Sequence, residues 1–380
     1  MKFIHSSDWH IGRQLHNVSL LEDQQHVLAQ IKDYALAHEV DAIVVAGDLY
    51  DRSVPPANAV SVLNKFLAEI TEEHNIPVII ISGNHDNAQR LGFAARQAAQ
   101  GGLHILSDLH SVATPVIIEK QDQQIAFYGI PYCEPLEVKN CFAQDLTSFD
   151  EAHSFLVNKI AENCSSNQIN VLISHCFIDG AEASESERPL HIGGADRVSY
   201  QPCLNFDYVA LGHLHQPQYK GAPHIRYSGS LLKYSFSEQH QKKGITLVEV
   251  DTHGKLKHQH LPLTPLRDMR ILEGELDDIL AAGVNDPDNE DYIMVRLTDK
   301  ASLLDPIGKL RKVYPNILHL EKSILQNSLQ SNQSAESLKR NASDMFSDFY
   351  QQVQGDPMTK AQRSALDTLM QELNQEARQE

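Results

Sequence analysis

The sequence predicts an α/β protein: a two-sheet α/β sandwich core, then a small α+β domain and a C-terminal helical hairpin. Three observations carry this reading. Short β-branched runs alternate with helix-periodic segments through the first half. Strand-like segments then follow one another with few helices between them. Finally, a Gln/Ser/Asn-rich stretch separates everything before it from an amphipathic, helix-periodic end.

Lys2–Ser6, Asp41–Ala46, Pro77–Ile81, Gln124–Gly129 and Asn170–Ser174 are apolar runs of strand length. Between them Leu21–Ala37, Asn58–Glu73 and Asp150–Asn163 repeat apolar residues at helical spacing. Strands that alternate with helices need crossover connections, so this half predicts a largely parallel sheet. Tyr208–Leu211, His224–Ser228, Gly244–Val250 and Lys257–Leu263 predict a second, more antiparallel sheet.

The turn-rich Leu263-Thr264-Pro265-Leu266 places the end of the first domain at residue 263. Residues 264–325 form the α+β domain, with strands at Met269–Glu275, Tyr292–Thr298 and Asn316–Lys322 and helices at Leu276–Ala282 and Leu303–Tyr314. Residues 326–334 have little apolar content and read as a flexible linker. Residues 335–380 carry helices at Ala335–Gln352 and Thr359–Glu376, separated by Gly355-Asp356-Pro357. Thr359 and Gln362 have the spacing of a capping box. A two-helix hairpin cannot bury both apolar faces alone, so it docks on a partner or folds back on its own body.

The 380 residues are 42% hydrophobic and 22% charged, the mix of a globular protein. No apolar run approaches the roughly 18 residues that cross a bilayer. Asp8 lies too near the N-terminus to survive removal of a signal peptide, so a cytoplasmic location is expected. The five cysteines are odd in number and scattered, without a Cys-x-x-Cys pair, which excludes a disulfide framework and a structural zinc site. A formal charge of −18 excludes a simple electrostatic DNA-binding module. It does not exclude a nuclease, since bound cations bring positive charge of their own.

Five polar motifs stand at the ends of the predicted strands: Asp8-Trp9-His10, Gly47-Asp48-Leu49-Tyr50-Asp51, Gly83-Asn84-His85-Asp86, His175, and Gly212-His213-Leu214-His215. The carboxyl ends of parallel strands converge on one crevice, so these motifs point into a single site. Carboxylate and amide oxygens suit hard dications, and imidazole extends the preference toward Mn, Fe or Zn. One carboxylate can bridge two ions about 3.5–4 Å apart, as phosphoryl-transfer sites require. The glycines before Asp48, Asn84 and His213 are expected to permit tight turns. Each motif alone is weak in a chain with 20 histidines; their order and topology carry the reading.

On these motifs the chain resembles the calcineurin-like metallophosphoesterase superfamily, and within it the SbcD family of nuclease subunits. The resemblance extends through Pro55-Pro56, Pro189-Leu190-His191-Ile192-Gly193-Gly194 and Tyr227-Ser228-Gly229-Ser230 to the small domain and the terminal hairpin. It implies Asp8, His10, Asp48 and His215 around one metal, and Asp48, Asn84, His175 and His213 around a second. It implies His85 as the catalytic residue, with Asp51 orienting it; archaeal and eukaryotic relatives typically carry His at that position. It further implies two Mn²⁺ ions, with Mg²⁺ or another divalent metal as the alternative, and a homodimer joined to two SbcC-type ATPase subunits. Residues 264–325 would cap the site on DNA, and residues 335–380 would dock the ATPase. ATP would bind only that partner, because the chain has no Gly-x-x-x-x-Gly-Lys-Ser/Thr loop. Trp9 stands where it could stack on a base or pack beside the strand end. Arg13, Arg52 and Arg90 could touch DNA phosphates or remain solvated loop charges, and His191 could face the substrate or only shape a turn.

Overall fold

Strands Ala42–Ala46 and Val78–Ile81 consist of Ala, Val and Ile that are all buried, the composition of strands covered on both faces. Around them a computed structural model describes residues 1–187, 195–301, 303–322 and 356–376, with Ser343, Phe346, Ser347, Tyr350 and Gln351. His191 with its loop, the linker 326–334 and most of Ala335–Gln352 lie outside the described residues. The chain divides into two compact units, Met1–Asp268 and Met269–Glu380.

The first unit is a sandwich of two six-stranded sheets. One sheet runs, in spatial order, Leu256–Pro262, Gly244–Val250, Lys2–Ser6, Ala42–Ala46, Val78–Ile81 and Leu103–Leu106. The other runs Gln218–Lys220, Ala222–Tyr227, Tyr208–Gly212, Ile169–His175, Gln123–Ile130 and Val116–Lys120. Phe3, Val44, Ile79, Phe127, Val171, Tyr208 and Val248 pack between them, with the Phe3 ring edge-on to Phe127 and Tyr208. Helix Phe149–Ala161 covers the outer face of the second sheet with Leu156, Val157 and Ile160. Its N-terminus carries a full capping box between Ser148 and Glu151.

The membership of the sheets departs from expectation. The hairpin Gly244–Val250/Leu256–Pro262 is antiparallel but joins the first sheet beside Lys2–Ser6, pairing Phe3 with Val248. Gln123–Ile130 and Ile169–His175 belong to the second sheet, which is parallel through its centre and antiparallel only at its edges. Pairing across some 245 residues of chain leaves no local trace in the sequence. Leu103–Leu106 and Val116–Lys120 are strands that the pattern did not mark.

In the second unit Met269–Gly274, Tyr292–Leu297 and Ile317–Lys322 form a parallel three-stranded sheet. Helices Leu276–Gly283 and Pro306–Leu310 alternate with these strands, and Leu276, Ile279, Val295, Leu310 and Tyr314 fill the core. The second helix is shorter than expected. Asp305, at φ +45°, starts it by accepting the Gly308 N–H at 3.0 Å, and Pro306 occupies its first turn. Helix Lys360–Glu376 begins at the expected capping box: Thr359 Oγ accepts the Gln362 N–H, and Gln362 Oε1 accepts the Thr359 N–H.

Candidate metal centre

The five motifs meet because strand ends of the two sheets lie against one another. The first sheet ends there in Asp8–His10, Gly47–Asp48 and Gly83–His85; the second ends in His175, register partner of Gly212, and runs on to His213 and His215. The junction is tight. His175 Nδ1 donates to the Ala46 carbonyl at 2.9 Å, and a Cβ on Gly212 would lie 1.9 Å from that same oxygen. Gly212 is therefore needed for close approach. Of the three glycines expected to make turns, only Gly47 sits at positive φ, +89°.

Asp8, His10, Asp48 and His213 also sit at positive φ, between +46° and +103°. Side chains rarely adopt this conformation, at a cost of order 1–3 kcal/mol each, and such strain gathers at functional sites. Here it falls on residues of both donor groups described next.

His10 Nε2 lies 3.1 Å from His215 Nε2, and Asp8 completes a group able to hold one cation. Asp8, Asp48 and His175 make a second group. Asn84 Oδ1 joins it, 2.9 Å from His175 Nε2 and 3.2 Å from His213 Nδ1. Asp48 Oδ2 stands between the groups, 3.6 Å from both His10 Nε2 and His175 Nε2.

The chemistry of these donors calls for positive charge. His175 gives its Nδ1 proton to Ala46, so its Nε2 lone pair faces the Asn84 oxygen, acceptor against acceptor. Among the described residues the buried His10 Nδ1 has no hydrogen-bond partner. Burial, then the Asp48 charge, pushes the Asp8 carboxyl well above the usual carboxylate range. Burial holds His10, His213 and His175 below the usual imidazole range. Neutral imidazoles and crowded carboxylates fit divalent cations seated among them.

This predicts a metal- and pH-dependent stability. In the metal-free chain the three imidazoles resist the proton that the unfolded chain takes up near pH 6.5, so they withdraw stability as pH falls below that value. Asp8 resists ionisation, so it withdraws stability as pH rises above 3.8. Cations relieve both, and protons compete with them for imidazole. Thermal scans with Mn²⁺ and with a chelator are expected to differ by about 2.7 kcal/mol per site at 100 times Kd. That corresponds to about 5–10 °C per site, with the difference larger at about pH 7.5 than at pH 5.5.

The His85 main-chain N–H donates to Asp48 Oδ1 at 2.8 Å, and its ring Nδ1 donates to the Asp51 main-chain carbonyl at 2.9 Å. That leaves Nε2 as the ring nitrogen outside this bond. The Asp51 carboxylate turns instead to Arg13, at 3.1 Å. Position 51 thus reaches His85 through an atom every residue possesses, and the Asp/His difference leaves that bond untouched. Asp51→Ala is expected to lower kcat by less than about tenfold, under 1.4 kcal/mol of barrier, in steady-state kinetics.

Trp9 is fully buried, donates to Ser6 Oγ at 2.7 Å and packs edge-on to Phe66; it is a packing residue and stacks on no base. Arg13 is held by Asp51, by the Ser186 carbonyl and over the Tyr234 ring. Arg52 and Arg90 are exposed.

Asp86 is a residue that sequence reasoning passed over. Its carboxylate accepts the N–H groups of Leu49, Tyr50 and Gly83 at 3.0–3.1 Å, tying the second motif to the third. Burial and the Asp48 charge nevertheless push its carboxyl up to about 7. Its place in Gly-Asn-His-Asp was the available signal. Gln24 had none: it holds the Trp9 and His10 carbonyls at 3.1 and 2.8 Å from within helix Leu21–Ala37.

A two-sheet α/β sandwich that gathers these donors at the carboxyl edge of its strands has the architecture of a metal-dependent phosphoesterase. The family model for calcineurin-like phosphoesterases matches residues 1–217. The model described as the type 5 capsule protein repressor C-terminal domain matches residues 265–354. SbcD of the SbcCD nuclease from Staphylococcus epidermidis is 33% identical over 371 residues, 97% of this chain and 98% of that one. Among solved structures, a phosphatase from Mycoplasma pneumoniae aligns over 70% of this chain and 94% of its own, at 14% identity and TM-score 0.39. A dimetal phosphatase from Danio rerio aligns over 70% and 98%, at 11% identity and TM-score 0.39. The chain belongs to the calcineurin-like phosphoesterases and, within them, to the SbcD family. It is a metal-dependent hydrolase. Among the described residues no helix is long and apolar enough to cross a membrane.

Proposed function

We propose that the chain is the nuclease subunit of an SbcCD-like complex, a cytoplasmic Mn²⁺-dependent phosphodiesterase acting on DNA in replication, recombination and repair. The observation that carries this reading is likeness to a nuclease subunit over 97% of the chain, through both structural units. The activities it implies are ATP-dependent 3′-to-5′ digestion of duplex ends and endonucleolytic opening of hairpins, blocked ends and single strands.

In this reading Asp8, His10, Asp48 and His215 hold one cation, and Asp48, Asn84, His175 and His213 hold the other. Such a pair, when bound, supplies Lewis acidity to the phosphoryl oxygens and a water nucleophile at neutral pH. The residues of the chain do the rest. Asp48 lies between the two groups and, through its other oxygen, fixes the His85 backbone. Fixed at Nδ1 by the Asp51 carbonyl, His85 presents Nε2 to the phosphate and passes a proton to the departing oxygen.

The partner is an SbcC-type ATPase, in a heterotetramer of two subunits of each kind. The C-terminal helices are its docking element; on Lys360–Glu376, Leu366 is buried while Leu369 is 56% exposed. Residues 264–325 serve as the DNA-facing cap.

The test is a Mn²⁺-dependent assay on linear and hairpin DNA, with and without the ATPase and ATP. Cleavage of both substrates, stimulated by partner and ATP, is expected. Turnover of phosphomonoesters with no cleavage of DNA would overturn the reading in favour of a small-molecule phosphatase.

A further inference from the structure

The acidic stretch from Glu182 to Glu187 has no place in the five motifs, yet Ser186 is buried and Glu187 lies beside it against the backbone of His215. We propose that Ser186 and Glu238 are positioning residues for His215, and through it for one of the two cations but not the other. This rests on the ligand assignment given above.

Ser186 Oγ lies 2.5 Å from His215 Nδ1 and also bonds Glu238 Oε1. The hydroxyl has one proton, and a carboxylate can only accept it. Ser186 therefore donates to Glu238 and accepts from the imidazole. His215 must carry its proton on Nδ1, which turns the Nε2 lone pair toward the crevice, where it stands 3.1 Å from His10 Nε2. The chain continues inward: Glu238 Oε2 pairs with Lys243 Nζ at 2.5 Å, and both residues are buried. Lys243 returns to the histidine, donating to the His215 carbonyl at 2.8 Å. The His215 N–H donates to Glu187 Oε1 at 2.7 Å. Ring, N–H and C=O of a single residue are each held by a different side chain.

A buried ion pair is a poor way to fill space, since apolar groups of equal volume serve as well or better. Its value here is directional, as with the outer partners that fix the tautomer of a metal-binding histidine. His175 supplies the contrast. Its Nδ1 proton goes to a main-chain carbonyl, so no side chain sets its tautomer. Only the group of Asp8, His10, Asp48 and His215 depends on the serine relay.

The experiment titrates Mn²⁺ into chelator-treated full-length chain, counting free ion by electron paramagnetic resonance. Wild type is expected to bind two Mn²⁺. Ser186→Ala is expected to keep one at wild-type affinity and bind the other about 10–100-fold more weakly. Ser186→Thr, which restores the hydroxyl, is expected to restore both. Two wild-type affinities in Ser186→Ala, equal weakening of both sites, or no rescue by threonine would overturn the proposal alone. Fewer than two Mn²⁺ in wild type would overturn the ligand assignment and this proposal with it.

Discussion

Replacing His85 with alanine is expected to slow DNA cleavage by about 10²–10⁴-fold, the usual worth of a positioned general acid, while Mn²⁺ binding stays at its wild-type value. The separation follows from how the residue is held. Its link to Asp48 is the main-chain N–H, which alanine keeps, so the loop between the two carboxyl-end motifs retains its shape. What goes is the imidazole alone, fixed at Nδ1 by the Asp51 carbonyl, with Nε2 as the proposed proton donor. Single-turnover kinetics with a p-nitrophenyl phosphodiester provide a second reading. A leaving group that departs without a proton makes the acid dispensable, so the deficit of the variant should shrink on that substrate. A variant that cuts DNA at near wild-type rates would remove His85 from the mechanism. One that loses Mn²⁺ would make it a structural residue.

Much of this site was legible because its information is local. Asp8, Asp48, Asn84, His175 and His213 each lie at the end of an apolar strand or within three residues of it, and strand ends are where a parallel sheet binds ligands. The helix Leu21–Ala37 and the strand Lys2–Ser6 were equally plain, since their periodicity is complete within each segment. What escaped was whatever depends on distant partners. The hairpin Gly244–Val250/Leu256–Pro262 reads as antiparallel from its own residues, but its place beside Lys2–Ser6 is decided by strands far away in sequence. Ser186, Glu238 and Lys243 are unremarkable polar residues until folding brings them to His215. Asp51 is the opposite case. Its motif drew attention to the side chain, while the contact with His85 belongs to the backbone.

Asp48→Asn is expected to weaken both cations at once, and to make the metal-free protein more stable rather than less. Asparagine keeps the shape of the side chain and an oxygen to accept the His85 N–H. It removes the charge that stands 3.6 Å from both His10 and His175, and so strikes the two groups together. If each site loses at least about 10²-fold in affinity, as for the stronger effects of perturbing a metal site, activity at limiting Mn²⁺ falls by roughly 10⁴ and recovers in part at saturating Mn²⁺. The stability effect has the opposite sign. The Asp48 charge is part of what pushes Asp8 and Asp86 upward, so at neutral pH its removal relieves repulsion among three neighbouring carboxyls. Without metal the variant should melt above wild type, at roughly 2–4 °C for each kcal/mol relieved. With Mn²⁺ the order should invert, because wild type gains the binding energy of two cations and the variant little of it. A metal-free variant melting below wild type would show that Asp48 serves the fold before it serves the metal. The crossing of the two curves would show a carboxylate kept at a cost to stability for the sake of cation binding.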